Sequence, residues 1–78
     1  MIGKMLRYMR HSSGLNQTEL AKNLNIAQTT LSGYETQYSN PDFQMIDRIA
    51  KICGFEIIFR KKKTHEEFTV DNIERKDI

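Results

Sequence analysis

Residues 15–35, LNQTELAKNLNIAQTTLSGYE, decide the fold. The stretch begins with a capping box, because the Asn16 side chain can accept from the backbone N–H of Glu19 while the Glu19 side chain reaches back to Asn16. The helix that starts there carries a narrow apolar stripe made of Leu20, Ala21 and Leu24. A tight corner at Asn25 and Ile26 then separates it from a second helix. The stretch therefore predicts two short helices joined by a turn.

The second helix of this stretch, residues 27–35, is polar and almost without charge. Leu31 and Tyr34 lie three residues apart and form its inward face. Its other side carries uncharged hydrogen-bonding side chains, namely Gln28, Thr29, Thr30 and Ser32. Glu35 is its one acid, and it contains no basic residue. Such a surface is suited to directional hydrogen bonds and not to charge attraction.

Further helices are predicted on both sides of this pair. Residues 2–10 carry apolar side chains at helical spacing, and we expect Met5 in the core. Gly14 can end this first helix in a left-handed conformation. Residues 42–53 have a broad apolar face, and Gly54 ends that helix. The sequence therefore predicts four helices in its first 54 residues.

The composition bounds the possible functions of the chain. Its 78 residues suffice for one small domain, and its net charge of +2 permits a nucleic-acid partner without proving one. The one cysteine, Cys53, allows no disulfide framework or multi-thiolate site, so we expect it in the core of a protein in the reducing cytoplasm. His11 and His65 are isolated, so no metal site is predicted. No apolar run approaches membrane-spanning length, and no catalytic constellation can be assembled, so we expect no membrane partner, no cofactor and no enzymatic activity.

The stretch FEIIF, residues 55–59, changes the period of the apolar pattern from helix to strand. No second strand with a tight turn follows it, so we expect this strand to lack a partner within the chain. Pairing with the same strand of a second subunit would satisfy its backbone. The predicted dimerisation residues are Phe55, Ile57, Ile58 and Phe59.

Residues 60–78 are dense in charge of both signs and contain few apolar side chains. We therefore divide the chain into a folded domain, residues 1–59, and a flexible or partner-binding tail, residues 60–78. The tail opens with the basic run Arg60 to Lys63. Such a run is more often a solvated strand edge than a phosphate contact, and the sequence leaves both interpretations open.

Residues 2–54 resemble the Cro and lambda-repressor-like (XRE-type) DNA-binding domains, through LNQTELAKNLNIAQTTLSGYE and NPDFQMIDRIAKICG. The resemblance implies an all-α bundle of four to five helices with a helix-turn-helix, here followed by a short C-terminal β-strand that pairs in a dimer. It also implies that the third helix enters the major groove of double-stranded DNA. The base-reading positions of the family fall on Gln28, Thr29, Ser32, Gly33 and Ala27.

The residue types at these positions suit base recognition. Gln28 can bond an adenine through two hydrogen bonds, and Thr29 and Ser32 can bond several bases, with the threonine methyl free to touch thymine. Gly33 either permits a close backbone approach or gives no readout. Ala27 departs from the serine or threonine that is commoner at this cap, which lowers helix stability by about 1 kcal/mol.

The resemblance also assigns phosphate-contacting and structural residues. Gln17 lies at the start of the second helix, where backbone amides attract a phosphate. The loop after the recognition helix could add neutral contacts from Gln37, Tyr38, Ser39 and Asn40. Gln37 stands where the family usually has glycine, which leaves the loop conformation open. Arg10 and Glu35 occupy the positions of an internal ion pair that sets the angle of the recognition helix.

The sequence thus predicts a sequence-specific transcriptional regulator, a repressor, that acts as a homodimer on a palindromic operator with half-sites about 34 Å apart. An alternative comes from CGFEIIFRKKK, residues 53–63, which resembles the strand and basic run of HipB-like antitoxins. That likeness implies an antitoxin that dimerises through the strand, binds a kinase-type toxin protein and represses its own operon.

Overall fold

A computed structural model describes residues 1–78 and contains four α-helices, a two-stranded sheet and a 3-10 turn. The elements in chain order are α1 (Ile2–Ser12), α2 (Gln17–Leu24), α3 (Gln28–Glu35), α4 (Phe43–Ile52), β1 (Phe59–Arg60), β2 (Glu67–Phe68) and the 3-10 turn (Ile73–Arg75). The predicted four-helix order is therefore confirmed. None of the helices combines the length and the apolar character that crossing a membrane requires.

Local capping fixes where the helices begin. Asn16 Oδ1 accepts from Glu19 N at 2.7 Å, and Glu19 Oε1 accepts from Asn16 N at 2.9 Å, so the predicted capping box is present. Asp42 caps α4 with a single bond, by accepting from Met45 N at 2.8 Å. Gly14 has a φ of 77°, as expected for a left-handed residue after α1. These caps satisfy backbone groups that the helices themselves leave unpaired.

The core is small and lies between the four helices. It consists of Leu6, Leu20, Ala21, Leu24, Leu31, Ile49 and Cys53. Cys53 is buried there, which confirms its predicted place. Met5, expected in the core, is 51% exposed, because the inward side of α1 passes through Leu6 and Arg10.

The corner between α2 and α3 is held from both sides. Asn25 takes a left-handed conformation, with φ 58°, and Ile26 N donates to Ala21 O at 3.0 Å in a Schellman-like arrangement. From α4, Arg48 Nη2 donates to Leu24 O at 3.0 Å and satisfies a carbonyl at the end of α2. The predicted tight corner is therefore confirmed, and it fixes the direction in which α3 leaves α2.

Helix α1 packs closely on the end of α3 through Gly3. A Cβ placed on Gly3 would meet the backbone carbonyl of Glu35, with the carbonyl carbon at 2.9 Å. Because that neighbour is backbone, it cannot rotate away as a side chain would. Gly3 therefore sets the distance between α1 and α3.

We expect Gly3→Ala to destabilise the protein, although alanine is the better helix former. Overpacking typically costs about 1 to 3 kcal/mol, whereas alanine gains about 1 kcal/mol over glycine in a helix. Urea denaturation should therefore give a lower free energy of unfolding for Gly3→Ala than for the wild type. Lys4→Ala, at the exposed neighbouring position, is the control and should stay within about 0.5 kcal/mol of the wild type. A Gly3→Ala variant more stable than the wild type would contradict the close approach.

The C-terminal strand differs from the prediction. Only Phe59 of the predicted strand is in β1, and it pairs antiparallel with Phe68 of the same chain. The expectation that the strand has no partner within the chain is therefore wrong. Residues 60–78, predicted as a tail, contain β2 and the 3-10 turn.

Two features of the hairpin explain why the sequence pattern does not predict its second strand. The connection between the strands, residues 61–66, contains no glycine, and His65 supplies the left-handed conformation with φ 62°. The strands are also short and are held by side chains, since the Phe59 and Phe68 rings stack at 5.2 Å between centroids. Phe55, by contrast, packs on the helical core and against Tyr8. Ile57 is half-buried and Ile58 is exposed.

Candidate nucleic-acid interface

The outer side of α3 presents its polar residues to solvent. Ala27, Gln28 and Thr29 are exposed at the start of the helix, whereas Ser32 and Gly33 are half-buried further along. Ala27 is the N-cap residue of α3, and it gives no side-chain cap because a methyl group cannot accept a hydrogen bond. The first turn of α3 is therefore the part that a macromolecular partner reaches most easily.

A chain of hydrogen bonds connects this exposed turn to the interior. Gln28 Nε2 donates to Gln17 Oε1 at 2.6 Å, and Gln17 Nε2 donates to Glu35 Oε1 at 3.0 Å. Glu35 in turn accepts from Arg10. Gln17 therefore links Gln28 to Glu35, since its amide oxygen accepts from Gln28 and its amide nitrogen donates to Glu35. This is a role beyond the phosphate contact expected from the sequence.

Arg10 and Glu35 form an ion pair in the interior. Arg10 Nε and Nη2 donate to the two carboxylate oxygens of Glu35 at 2.6 and 2.9 Å, and both residues are buried. Arg10 Nη1 also donates to Leu15 O at 3.1 Å. The pair thus ties α1 to the end of α3 and to the turn that precedes α2. This two-pronged geometry fixes orientation as well as distance.

The environment of Glu35 changes its pKa in two opposing ways. Burial raises the pKa of the carboxyl group, but hydrogen bonds from Arg10 and Gln17, with the charges of Arg10 and Arg7, outweigh it and lower the pKa from its ordinary value of 4.5. The hydrogen bond with Glu35 raises the pKa of Arg10. Both groups are therefore charged at neutral pH.

We expect this pair to make folding stability sensitive to acid. Because the pKa of Glu35 is lower in the folded state, its contribution is fully present above the unfolded pKa and is lost as the pH falls through the folded pKa. Urea denaturation of the wild type and Glu35→Gln between pH 7 and pH 3 measures it. The stability difference between the two proteins should shrink as the pH falls below about 4. A difference that stays constant over this range would contradict the prediction.

The loop after α3 lies on the surface beside the first helix. Gln37 is left-handed, with φ 62°, where the resemblance leads one to expect glycine. Its Oε1 accepts from Gly3 N at 3.3 Å and from the amino group of Met1, so its side chain caps the start of α1. These contacts hold a non-glycine residue in a conformation that is otherwise unfavourable. The chain leaving α3 is therefore tied to α1.

The remaining loop residues, Tyr38, Ser39 and Asn40, are exposed, and Tyr38 is 91% accessible. Ser39 N donates to Gly33 O at 3.2 Å, and a Cβ on Gly33 would come within 3.1 Å of Ser39 Oγ. The close approach that Gly33 permits is thus an approach of this loop to α3. The loop folds back along the exposed side of the helix.

Two residues of this region make structural contacts that the sequence pattern does not predict. Gly3 lies in an ordinary helical pattern, and a sequence gives no sign that its missing side chain accommodates the end of α3. Arg48 looks like a solvated residue of α4, but its guanidinium reaches the end of α2. Both contacts join elements that are distant along the chain, so the local spacing of residues does not predict them.

The fold and this surface define a helix-turn-helix protein, in which α2 and α3 meet at a fixed corner and α3 is offered to solvent. A family model described as "Helix-turn-helix" matches residues 6–59. The chain belongs to this helix-turn-helix family, in the Cro and lambda-repressor-like (XRE) group of DNA-binding transcriptional regulators.

Two relatives from Bacillus subtilis (strain 168) are similar to this chain. The SPbeta prophage-derived uncharacterized HTH-type transcriptional regulator YonR is 32% identical over 73 residues, which cover 94% of this chain and 68% of that protein. The HTH-type transcriptional regulator ImmR is 35% identical over 51 residues, which cover 65% of this chain and 40% of that protein. The match thus covers about two fifths of the length of the second relative. No solved structure matches it significantly.

Proposed function

We propose that this protein is a sequence-specific repressor that binds a palindromic operator in double-stranded DNA as a homodimer. The observation that carries the proposal is the exposed first turn of α3, where Gln28 is held by Gln17 and Thr29 is free. Both relatives are named as transcriptional regulators, which supports a regulatory function.

In this proposal α3 lies in the major groove and reads base edges directly. Gln28 bonds an adenine through its amide oxygen and nitrogen, and Thr29 contacts a neighbouring base or a thymine methyl group. Ser32 adds a contact one turn further along. Ala27 is exposed at the start of the helix and allows the backbone there to approach the bases closely, whereas Gly33 makes room for the loop that follows α3. The absence of charge on this surface leaves selection to hydrogen-bond geometry.

Neutral groups around α3 position the protein on the sugar-phosphate backbone. Gln17 stands at the first position of α2, where free backbone amides favour an anion. The exposed loop residues add donors on the other side of the groove, from Gln37, Tyr38, Ser39 and Asn40. Such contacts fix register and orientation without reading sequence.

In this proposal the protein binds as a dimer, because one recognition helix can read only one half of a palindromic operator. Two α3 helices in successive major grooves require half-sites about 34 Å apart. Exposed apolar side chains near the C-terminal hairpin support this proposal, among them Ile52, Ile58 and Phe59. A dimer bound at a promoter would exclude other proteins from it, which is the basis for proposing repression.

Selection of bound duplexes from a random pool tests the proposal. We expect a palindromic consensus with half-sites separated by one helical turn, and a dimeric mass in sedimentation analysis of the complex. Equal affinity and equal salt dependence for selected and scrambled duplexes would contradict base readout. No observation favours the antitoxin alternative over this proposal, because the strand that suggests it pairs with β2 of the same chain.

A further inference from the structure

The tip of the C-terminal hairpin carries positive charge that the protein does not neutralise. Lys61, Lys62 and Lys63 are all exposed, and none of them takes part in an ion pair. The acids of the hairpin are already engaged, since Glu66 pairs with Lys76 at 3.0 Å and Glu67 pairs with Arg60 at 2.7 Å. The tip therefore presents three cations to a partner outside the chain.

These lysines belong to an ordered turn. Lys61 N donates to Glu66 O at 2.8 Å, and His65 N donates to Lys61 O at the same distance. The base of the hairpin is held by aromatic contacts, because the Phe59 ring lies 5.2 Å from Phe68 and 5.8 Å from Phe43 between centroids. The three lysines thus project from a hairpin attached to the helical domain.

The hairpin contacts the helical domain at Phe43, a residue that follows the recognition helix closely in the sequence. Phe43 is the first residue of α4 and directly follows the loop that leaves α3. Lys62 is three residues beyond Phe59, so its Cα lies within about 10 Å of that anchor, and a lysine side chain extends the reach further. Because the Phe59 ring contacts Phe43, the hairpin is attached where the loop from α3 enters α4.

We propose that the hairpin tip is a second DNA-binding element, in which Lys61, Lys62 and Lys63 bind phosphates that flank the groove occupied by α3. The inference rests on the proposed function, since it requires α3 in the major groove. Flexible lysines facing phosphates carry no sequence information. The hairpin therefore raises the affinity for all DNA and leaves the preference for the operator unchanged.

Fluorescence anisotropy with selected and scrambled duplexes over a salt series tests this inference. The probes are long enough to extend beyond the selected site, and the variant is Lys61→Gln with Lys62→Gln and Lys63→Gln. Each lost phosphate contact removes about 0.9 from the salt slope, so we expect the slope to fall by roughly 2 to 3. At 0.15 M salt this corresponds to an affinity on the order of 100-fold lower, for both duplexes alike.

Three controls accompany the triple variant. Replacing the same lysines by arginine keeps the charge and should restore both slope and affinity. Lys4→Gln removes a charge from the exposed side of α1 and should leave the slope within about one unit of the wild type. Phe68→Ser keeps every lysine but loosens the hairpin, and part of the affinity should be lost. Its far-ultraviolet circular dichroism should stay helical, since Phe68 lies outside the core cluster.

The outcomes separate this inference from the proposed function. A wild type that prefers selected DNA, with a glutamine variant of unchanged slope and affinity, overturns the hairpin contact and leaves the proposed function standing. A glutamine variant that loses preference in place of affinity also overturns it. A wild type without preference for selected DNA overturns both proposals. A Phe68→Ser variant with wild-type affinity overturns the role of the fixed hairpin.

Discussion

Arg10→Met is expected to lower the free energy of unfolding by about 3 to 5 kcal/mol. The substitution keeps a long apolar side chain but leaves the Glu35 carboxylate buried without its cation. A lone buried charge is far more costly than the pair, because its lost hydration is no longer compensated. Since small domains have about 5 to 15 kcal/mol of stability in total, a large share would be lost. Urea denaturation at pH 7 measures it.

A second ion pair in the same chain provides the matched control. Arg60 and Glu67 lie 2.7 Å apart, but their side chains are 61% and 43% exposed. Arg60→Met should therefore cost at most about 1 kcal/mol. Combining Arg10→Met with Glu35→Leu should be less harmful than Arg10→Met alone, because no charge is then left buried. An Arg10→Met variant no less stable than Arg60→Met would show that the interior pair contributes nothing special.

Gln28→Ala is expected to reduce the preference for the selected operator over scrambled DNA by about 5- to 150-fold. This range corresponds to the 1 to 3 kcal/mol that a good two-bond contact between a side chain and a base provides. Adding Thr29→Ala should reduce the preference further. Competition binding at a fixed salt concentration measures the ratio of the two affinities. The ratio is the informative quantity, since a phosphate contact would change both affinities together.

Gln44→Ala is the matched control for this prediction, because it makes the same exchange at an exposed position of α4. Its ratio of operator to scrambled affinity should equal that of the wild type. If the doubly substituted protein also keeps the wild-type ratio, α3 does not read bases through Gln28 and Thr29. Circular dichroism of each variant excludes loss of the helical fold as the cause.

The helical part of the fold follows from local rules that a sequence displays. Capping residues predict where two of the helices begin, because a cap needs partners only three residues apart. They are Asn16 with Glu19 for α2, and Asp42 for α4. The hairpin does not follow from such rules, because its turn contains no glycine and its strands are held by ring stacking. Contacts between distant residues decide such a structure, and spacing along the chain does not reveal them.

The candidate site was predictable in composition but not in connectivity. The polar side of α3 is visible in the sequence as uncharged side chains at successive positions. The hydrogen bonds that join Gln28 to Gln17 and Gln17 to Glu35 depend on how α2 and α3 pack. Gln37 shows the same limit, because its left-handed backbone is held by contacts with Met1 and Gly3 at the other end of the domain.

The hydrogen-bond chain from Arg10 to Gln28 has an evolutionary consequence. Gln28 bonds Gln17 and so shares in an internal network, whereas the side chain of Thr29 makes no hydrogen bond within the protein. Under the proposed function, mutations at position 29 can therefore alter operator choice without disturbing neighbouring groups. Divergence of recognition among descendants of this chain should begin at that position, while exchanges at position 28 need compensating changes at position 17.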